Sequence, residues 1–146
     1  MPKPFMLGFY GYSASGKTTL LERLVRDLTA SGWRVAVIKQ TNKSDSVDMP
    51  GKDTARFIRA GAGVAVFASA VETIYLMKKH STAQDIVKNL GHFGDFDVVF
   101  VEGARDAAIP KVRLGDCAER ENTLSTYDGD YVRLLEKIKN VYIKKE

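Results

Sequence analysis

The chain has 146 residues, 45% hydrophobic and 27% charged, which matches one ordinary folded domain over residues 1–146 and excludes a disordered or low-complexity chain. Its net charge of +4 comes from scattered Lys and Arg, with only Lys137, Lys139, Lys144 and Lys145 grouped, so a solvated basic helix end is expected rather than a nucleic-acid surface. No apolar run approaches the ~20 residues of a membrane span and the N-terminus lacks a signal-peptide pattern, so a cytoplasmic protein is expected, its single Cys117 a structural thiol without cationic neighbours.

In chain order, Pro4 to Tyr10 is a short apolar run stopped by a glycine turn, as a buried parallel strand reads. From Lys17 the period changes. Leu20, Leu21, Leu24, Val25 and Leu28 mark one face of an amphipathic helix that ends at Ser31-Gly32, and Arg34 to Lys39 is a second strand, completing a βαβ unit. Gln40 to Lys52 is polar, contains Pro50-Gly51 and has no apolar period, so it predicts an exposed loop of functional length. Asp53 caps a helix through Ala60. Val64 to Ala68 and Val71 to Met77 follow as strands whose short link predicts an antiparallel β-hairpin.

Ser81 or Thr82 caps a helix to Leu90, closed by Gly91. Val98 to Val101 is the most continuously apolar run and predicts a central strand, Pro110 to Leu114 a further strand, and Tyr131 to Ile138 a last helix, with Val141 to Ile143 as an edge strand. The fold class is therefore α/β, a mostly parallel sheet flanked by helices, with the hairpin at residues 64–77.

Gly11-Tyr12-Ser13-Ala14-Ser15-Gly16-Lys17-Thr18 satisfies G-x-x-x-x-G-K-[ST] after a strand and before a helix, the context that makes a P-loop. Glycines let backbone N–H groups turn toward phosphates, and the helix N-terminus favours an anion. Lys17 is expected on the β- and γ-phosphates and Thr18 on Mg²⁺. A carboxylate at the end of a neighbouring strand commonly orients the metal. Glu102, after Val98 to Val101, fits, whereas Asp97 lies at that strand's other end. Lys39, closing the second strand, reaches the same rim by the same rule. Asp45, Asp48, Lys52 and Asp53 fall where a phosphate- or metal-sensing loop is expected, though each equally suits solvated surface. Asn42-Lys43-Ser44-Asp45 imitates the guanine signature N-K-x-D, but it follows the second strand rather than a late one, and we treat it as chance. His80 and His92 lack metal-ligand spacing.

These residues resemble a family. Gly11 to Leu20, Val37-Ile38-Lys39, Asp48 to Thr54 with Arg56, Arg59 and Ala60-Gly61-Ala62, and Asp97 to Gly103 with Pro110-Lys111 look like molybdopterin-guanine dinucleotide biosynthesis protein B, MobB, over about residues 5–114. The resemblance implies a GTP-binding, weakly hydrolysing, Mg²⁺-dependent accessory protein, commonly a homodimer. Such a protein works with a MobA-like nucleotidyltransferase that attaches GMP to molybdopterin. It further implies that Gly11 to Thr19 bind phosphates, that Asp48 and Glu102 lie near the metal, and that Lys39, Lys52 and Lys111 line the rim. Lys17 and Glu102 are the residues expected to carry catalysis. Two positions depart from the family pattern: Gln40 to Lys43 stand where histidines are usual, and Ala104 where an aromatic often follows V-E-G.

Two other classes fit the same loop. A small-molecule or nucleoside kinase would use Arg105, Arg113 and Arg120 as lid residues over the phosphates, and a nucleic-acid-binding ATPase would rest on net charge alone.

Overall fold

The computed structural model describes residues 3–42 and 52–142. They fall into two compact units, one formed by Met1–Thr41 with Ala83–Glu146 and the other by Asn42–Thr82.

The first unit is a five-stranded sheet with strands β1 (Phe5–Tyr10), β2 (Val35–Lys39), β5 (Val98–Glu102), β6 (Lys111–Leu114) and β7 (Thr123–Tyr127), in the order β2-β5-β1-β6-β7. All four pairings are parallel. Strand alternation divides its core in two. On one face Leu7, Phe9, Val98, Phe100, Val112 and Leu114 pack with Leu20, Leu21, Leu24 and Leu28 of α1 (Lys17–Ala30) and with Tyr131 and Leu134 of α4 (Tyr131–Lys137). On the other, Ile38, Val99 and Val101 meet Ala83 and Val87 of α3 (Ala83–Leu90), together with Ala104 and Ile109. The continuous apolar run at β5 follows from this, because a strand covered on both faces has no solvent side to leave polar.

Strands β5 and β6 flank β1, and the short connection between them crosses β1 at Gly8. A Cβ there would stand 2.5 Å from Ala104 Cβ, 3.2 Å from Lys111 Cγ and 3.4 Å from Ile109 Cγ2. Only glycine leaves room for the crossing. Gly8→Ala is therefore expected to lower the unfolding free energy by about 1–3 kcal/mol, the usual range for overpacking. An unchanged midpoint in chemical denaturation would contradict this.

The second unit contains α2 (Lys52–Ala60), β3 (Val64–Ala68) and β4 (Thr73–Met77), the strands paired antiparallel with Val66 opposite Tyr75. The hairpin is as the sequence predicts. Its second strand starts at Thr73 rather than Val71, because Ser69 Oγ accepts the backbone N–H groups of Val71 and Glu72 and holds those residues in the turn.

Two elements differ from expectation. One of the sheet's two outer strands is β7, to which the sequence reading assigned no element, since Thr123, Ser125 and Thr126 give it no apolar alternation. Val141 and Tyr142, expected in an edge strand, instead belong to a π-helical turn, Ile138–Tyr142, that prolongs α4. Ile138 packs in the main core, and the Tyr142 hydroxyl bonds Ser125 Oγ at 2.9 Å, so packing against β7 holds this segment helical.

Candidate functional site

The Gly11–Gly16 loop joins β1 to α1 at the carboxyl end of the sheet. Close packing explains its first glycine: a Cβ on Gly11 would lie 2.6 Å from the Leu114 carbonyl oxygen and 2.9 Å from Ser15 Oγ. Two residues then take left-handed backbone, Ala14 at φ 63° and Gly16 at φ 90°. Gly16 is also the N-cap of α1. It offers no side-chain cap, and the first turn, Lys17-Thr18-Thr19, holds no acid. The helix itself thus supplies no cap and no anion to the positive end of its dipole.

Three side chains show what this loop can hold. Lys17 folds back so that Nζ donates to the carbonyls of Gly11 at 2.7 Å and Tyr12 at 3.1 Å, which keeps an ammonium within the loop. Ser15 Oγ is buried with no hydrogen-bond partner among the described residues, an orphan where such groups are rare. Thr18 Oγ1 donates to Glu102 Oε1 at 3.4 Å, a long contact between a hydroxyl and a carboxylate from different elements. Glu102 is the last residue of β5 and lies in register with Lys39 of β2 and Phe9 of β1. Registered neighbours share a face, so Lys39 and Glu102 stand together on the α1 side of the rim. Tyr12, Ser13 and Ala14 are exposed around the loop's outer edge.

This donor set fits a divalent cation of the hard type, which keeps waters and is held by one or two protein oxygens plus phosphate oxygens. No group of three or more His, Cys, Asp or Glu is gathered for a metal among the described residues, so no all-protein cage competes with that arrangement. Asp48 and Asp45, expected in a sensing loop, lie outside the described residues, as does Lys43. Lys52 opens α2, so the helix starts two residues earlier than a cap at Asp53 required, and Asp53 lies inside it. Asp97 is engaged at the opposite end of the sheet, accepting from the Arg34 backbone N at 2.7 Å and from its guanidinium at 3.2 Å.

Lys111 corrects the sequence reading. It does not line the rim: it is fully buried, and Nζ donates to the carbonyls of Asp106 at 2.5 Å, Ile109 at 2.7 Å and Glu121 at 2.8 Å. Burial pushes its pKa down, opposed by nearby Asp106. The arginines of the kinase alternative are also largely committed. Arg113 donates to Thr126 Oγ1 and the Cys117 carbonyl, each at 3.0 Å, and Arg120 donates to the Ala104 carbonyl at 2.8 Å, while Arg105 is exposed. Tyr10, Arg120 and Thr123 form a bonded group beside the loop that no motif announces, although Tyr10 directly precedes Gly11.

Residues 6–134 match the family model described as molybdopterin guanine dinucleotide synthesis protein B. A Haemophilus influenzae molybdopterin-guanine dinucleotide biosynthesis adapter protein is 38% identical over 115 residues, covering 75% of this chain and 62% of the relative. The Escherichia coli K12 adapter protein of the same description is 33% identical over 112 residues, covering 75% and 64%. The chain thus spans a little under two thirds of either relative's length. Among solved structures, Bacillus subtilis MobB matches with a TM-score of 0.74 at 17% identity, over 97% of this chain and 99% of that one, a likeness of fold.

Proposed function

The chain belongs to the MobB family, and from that premise we propose that it is an adapter in molybdopterin guanine dinucleotide biosynthesis that binds GTP with Mg²⁺ and hydrolyses it slowly. The observation that carries the nucleotide part is the convergence of the Thr18 hydroxyl and the Glu102 carboxylate, 3.4 Å apart, at an uncapped helix start. In this reading the Gly11–Thr19 backbone and Lys17 hold the phosphates, Lys17 exchanging its two loop carbonyls for phosphate oxygens. Thr18 and Glu102 are the metal's protein contacts, and Lys39 adds positive charge at the same rim. Mg²⁺, when bound, neutralises charge on the β- and γ-phosphates. Slow turnover, with the product chemistry left to a partner, rests on the family.

The base preference rests on the family, as do the partners: molybdopterin, a MobA-like nucleotidyltransferase and a second copy of this chain in a homodimer. A cytoplasmic location agrees with the absence of any long, apolar, membrane-crossing helix among the described residues. Calorimetric titration with GTP and with ATP, each with and without Mg²⁺, tests the proposal. Mg²⁺-strengthened GTP binding is expected. Glu102→Gln keeps the shape and removes the charge, and should cost about tenfold in Mg²⁺-dependent affinity. A preference for ATP, or a Glu102→Gln protein with unaltered Mg²⁺ response, would overturn the respective part.

A further inference from the structure

Arg120 lies in the connection from β6 to β7, far in sequence from the phosphate loop, yet it grips both sides of the site. Its backbone N–H donates to the Tyr10 hydroxyl at 3.0 Å. That hydroxyl bonds Thr123 Oγ1 at 2.6 Å, and Thr123 Oγ1 in turn donates to the Arg120 carbonyl at 2.6 Å, closing a ring. The guanidinium lies 4.7 Å above the Tyr10 ring centre and donates through Nη1 to the Ala104 carbonyl at 2.8 Å. Tyr10 precedes Gly11; Ala104 follows Glu102 by two residues, with the Gly103 N–H between them bonded to the Phe9 carbonyl at 2.8 Å.

We propose that Arg120 is a positioning residue for the nucleotide site, fixing the spacing between the phosphate loop, through Tyr10, and the metal carboxylate Glu102, through Ala104. The inference rests on the nucleotide-binding reading above. Thr18 hangs on the chain that leaves Tyr10, and Glu102 on the chain that runs into Ala104, so their separation depends on both anchors. A planar cation suits the task, since one group stacks on a ring and donates in its own plane. Its placement also carries a cost. Arg120 is half-buried and pairs with no carboxylate among the described residues, and burial, then the neighbouring Arg105, lower its pKa.

The test uses the whole chain. Arg120→Met preserves length and ring packing while removing the charge and the donor to Ala104. Apparent GTP affinity without Mg²⁺ should stay within about threefold of wild type, whereas half-saturating Mg²⁺ for GTP binding should rise about tenfold, the size seen when groups supporting metal ligands are lost. Arg120→Lys should recover part of that shift. Tyr10→Phe, which removes the hydroxyl tie and keeps the ring, should raise half-saturating Mg²⁺ by about threefold, on the same grounds, and it carries the test if Arg120→Met does not fold. Unchanged half-saturating Mg²⁺ in the folded variants overturns the proposal, as does an equal loss with and without Mg²⁺, which would mark a general structural effect. Wild-type protein that binds no GTP at any Mg²⁺ concentration overturns the underlying reading, and the proposal with it; wild-type binding with unaltered variants overturns the proposal alone.

Discussion

Replacing Lys17 by Ala is expected to weaken GTP binding by at least tenfold and to remove hydrolysis, while leaving the fold intact. The ammonium sits on the Gly11 and Tyr12 carbonyls at 2.7 and 3.1 Å, inside the loop that the phosphates would enter. Its contacts to phosphate oxygens would be charge-assisted hydrogen bonds worth about 1.5–3 kcal/mol, and each 1.4 kcal/mol is tenfold in affinity. Stability should scarcely change, because the side chain is only partly buried and its protein partners are two loop carbonyls that water can reach. Calorimetry with GTP and Mg²⁺, paired with thermal denaturation, separates the two effects. Wild-type affinity in Lys17→Ala would sink the assignment of the phosphate loop.

The largest loss of stability is expected from Lys111→Met, about 3–5 kcal/mol by analogy with breaking one partner out of a buried charged set. Two opposing contributions decide the sign. Met removes the desolvation cost that pushes the Lys111 pKa down, which favours the variant. It also takes a donor from the carbonyls of Asp106, Ile109 and Glu121, of which Asp106 keeps a second donor in the Ile109 N–H at 3.1 Å, and each buried polar group left without one costs about 1–3 kcal/mol. The three carbonyls belong to two different connections, so the ammonium joins the β5–β6 crossover to the β6–β7 segment. An apolar side chain of similar length cannot join them. Urea denaturation monitored by far-UV circular dichroism measures the difference, and a variant as stable as wild type would show that those carbonyls find water instead.

Much of the architecture was legible because burial demands particular residues at particular periods. Val98 to Val101 read as a central strand, since coverage on both faces removes any polar alternation. Leu20, Leu21, Leu24 and Leu28 read as one helix face and all four are buried. The Gly11–Gly16 loop was legible for a different reason: backbone geometry at Gly11 and Gly16 tolerates few residues, so a local constraint left a local signature. Strand β7 escaped because an edge strand half-open to solvent needs little apolar surface, and Thr123, Ser125 and Thr126 satisfied it without alternation. Val141 and Tyr142 misled in the opposite direction, as β-branched and aromatic residues in a segment that the packing of Ile138 and the Tyr142 hydroxyl bond to Ser125 hold helical.

From sequence alone came the βαβ unit, the hairpin at residues 64–77, the Gly11–Gly16 loop between β1 and α1, and Glu102 at the end of β5, all features encoded within a few neighbouring residues. Tertiary structure alone decided that Lys111 is a buried clamp rather than a rim lysine, that Gly8 is required by a crossing segment, and that Arg120 bridges Tyr10 and Ala104. Each of those depends on groups brought together across long stretches of chain. A lysine in sequence is a charge on a flexible stem, and only the packed surroundings determine whether it meets solvent, a ligand or three backbone carbonyls.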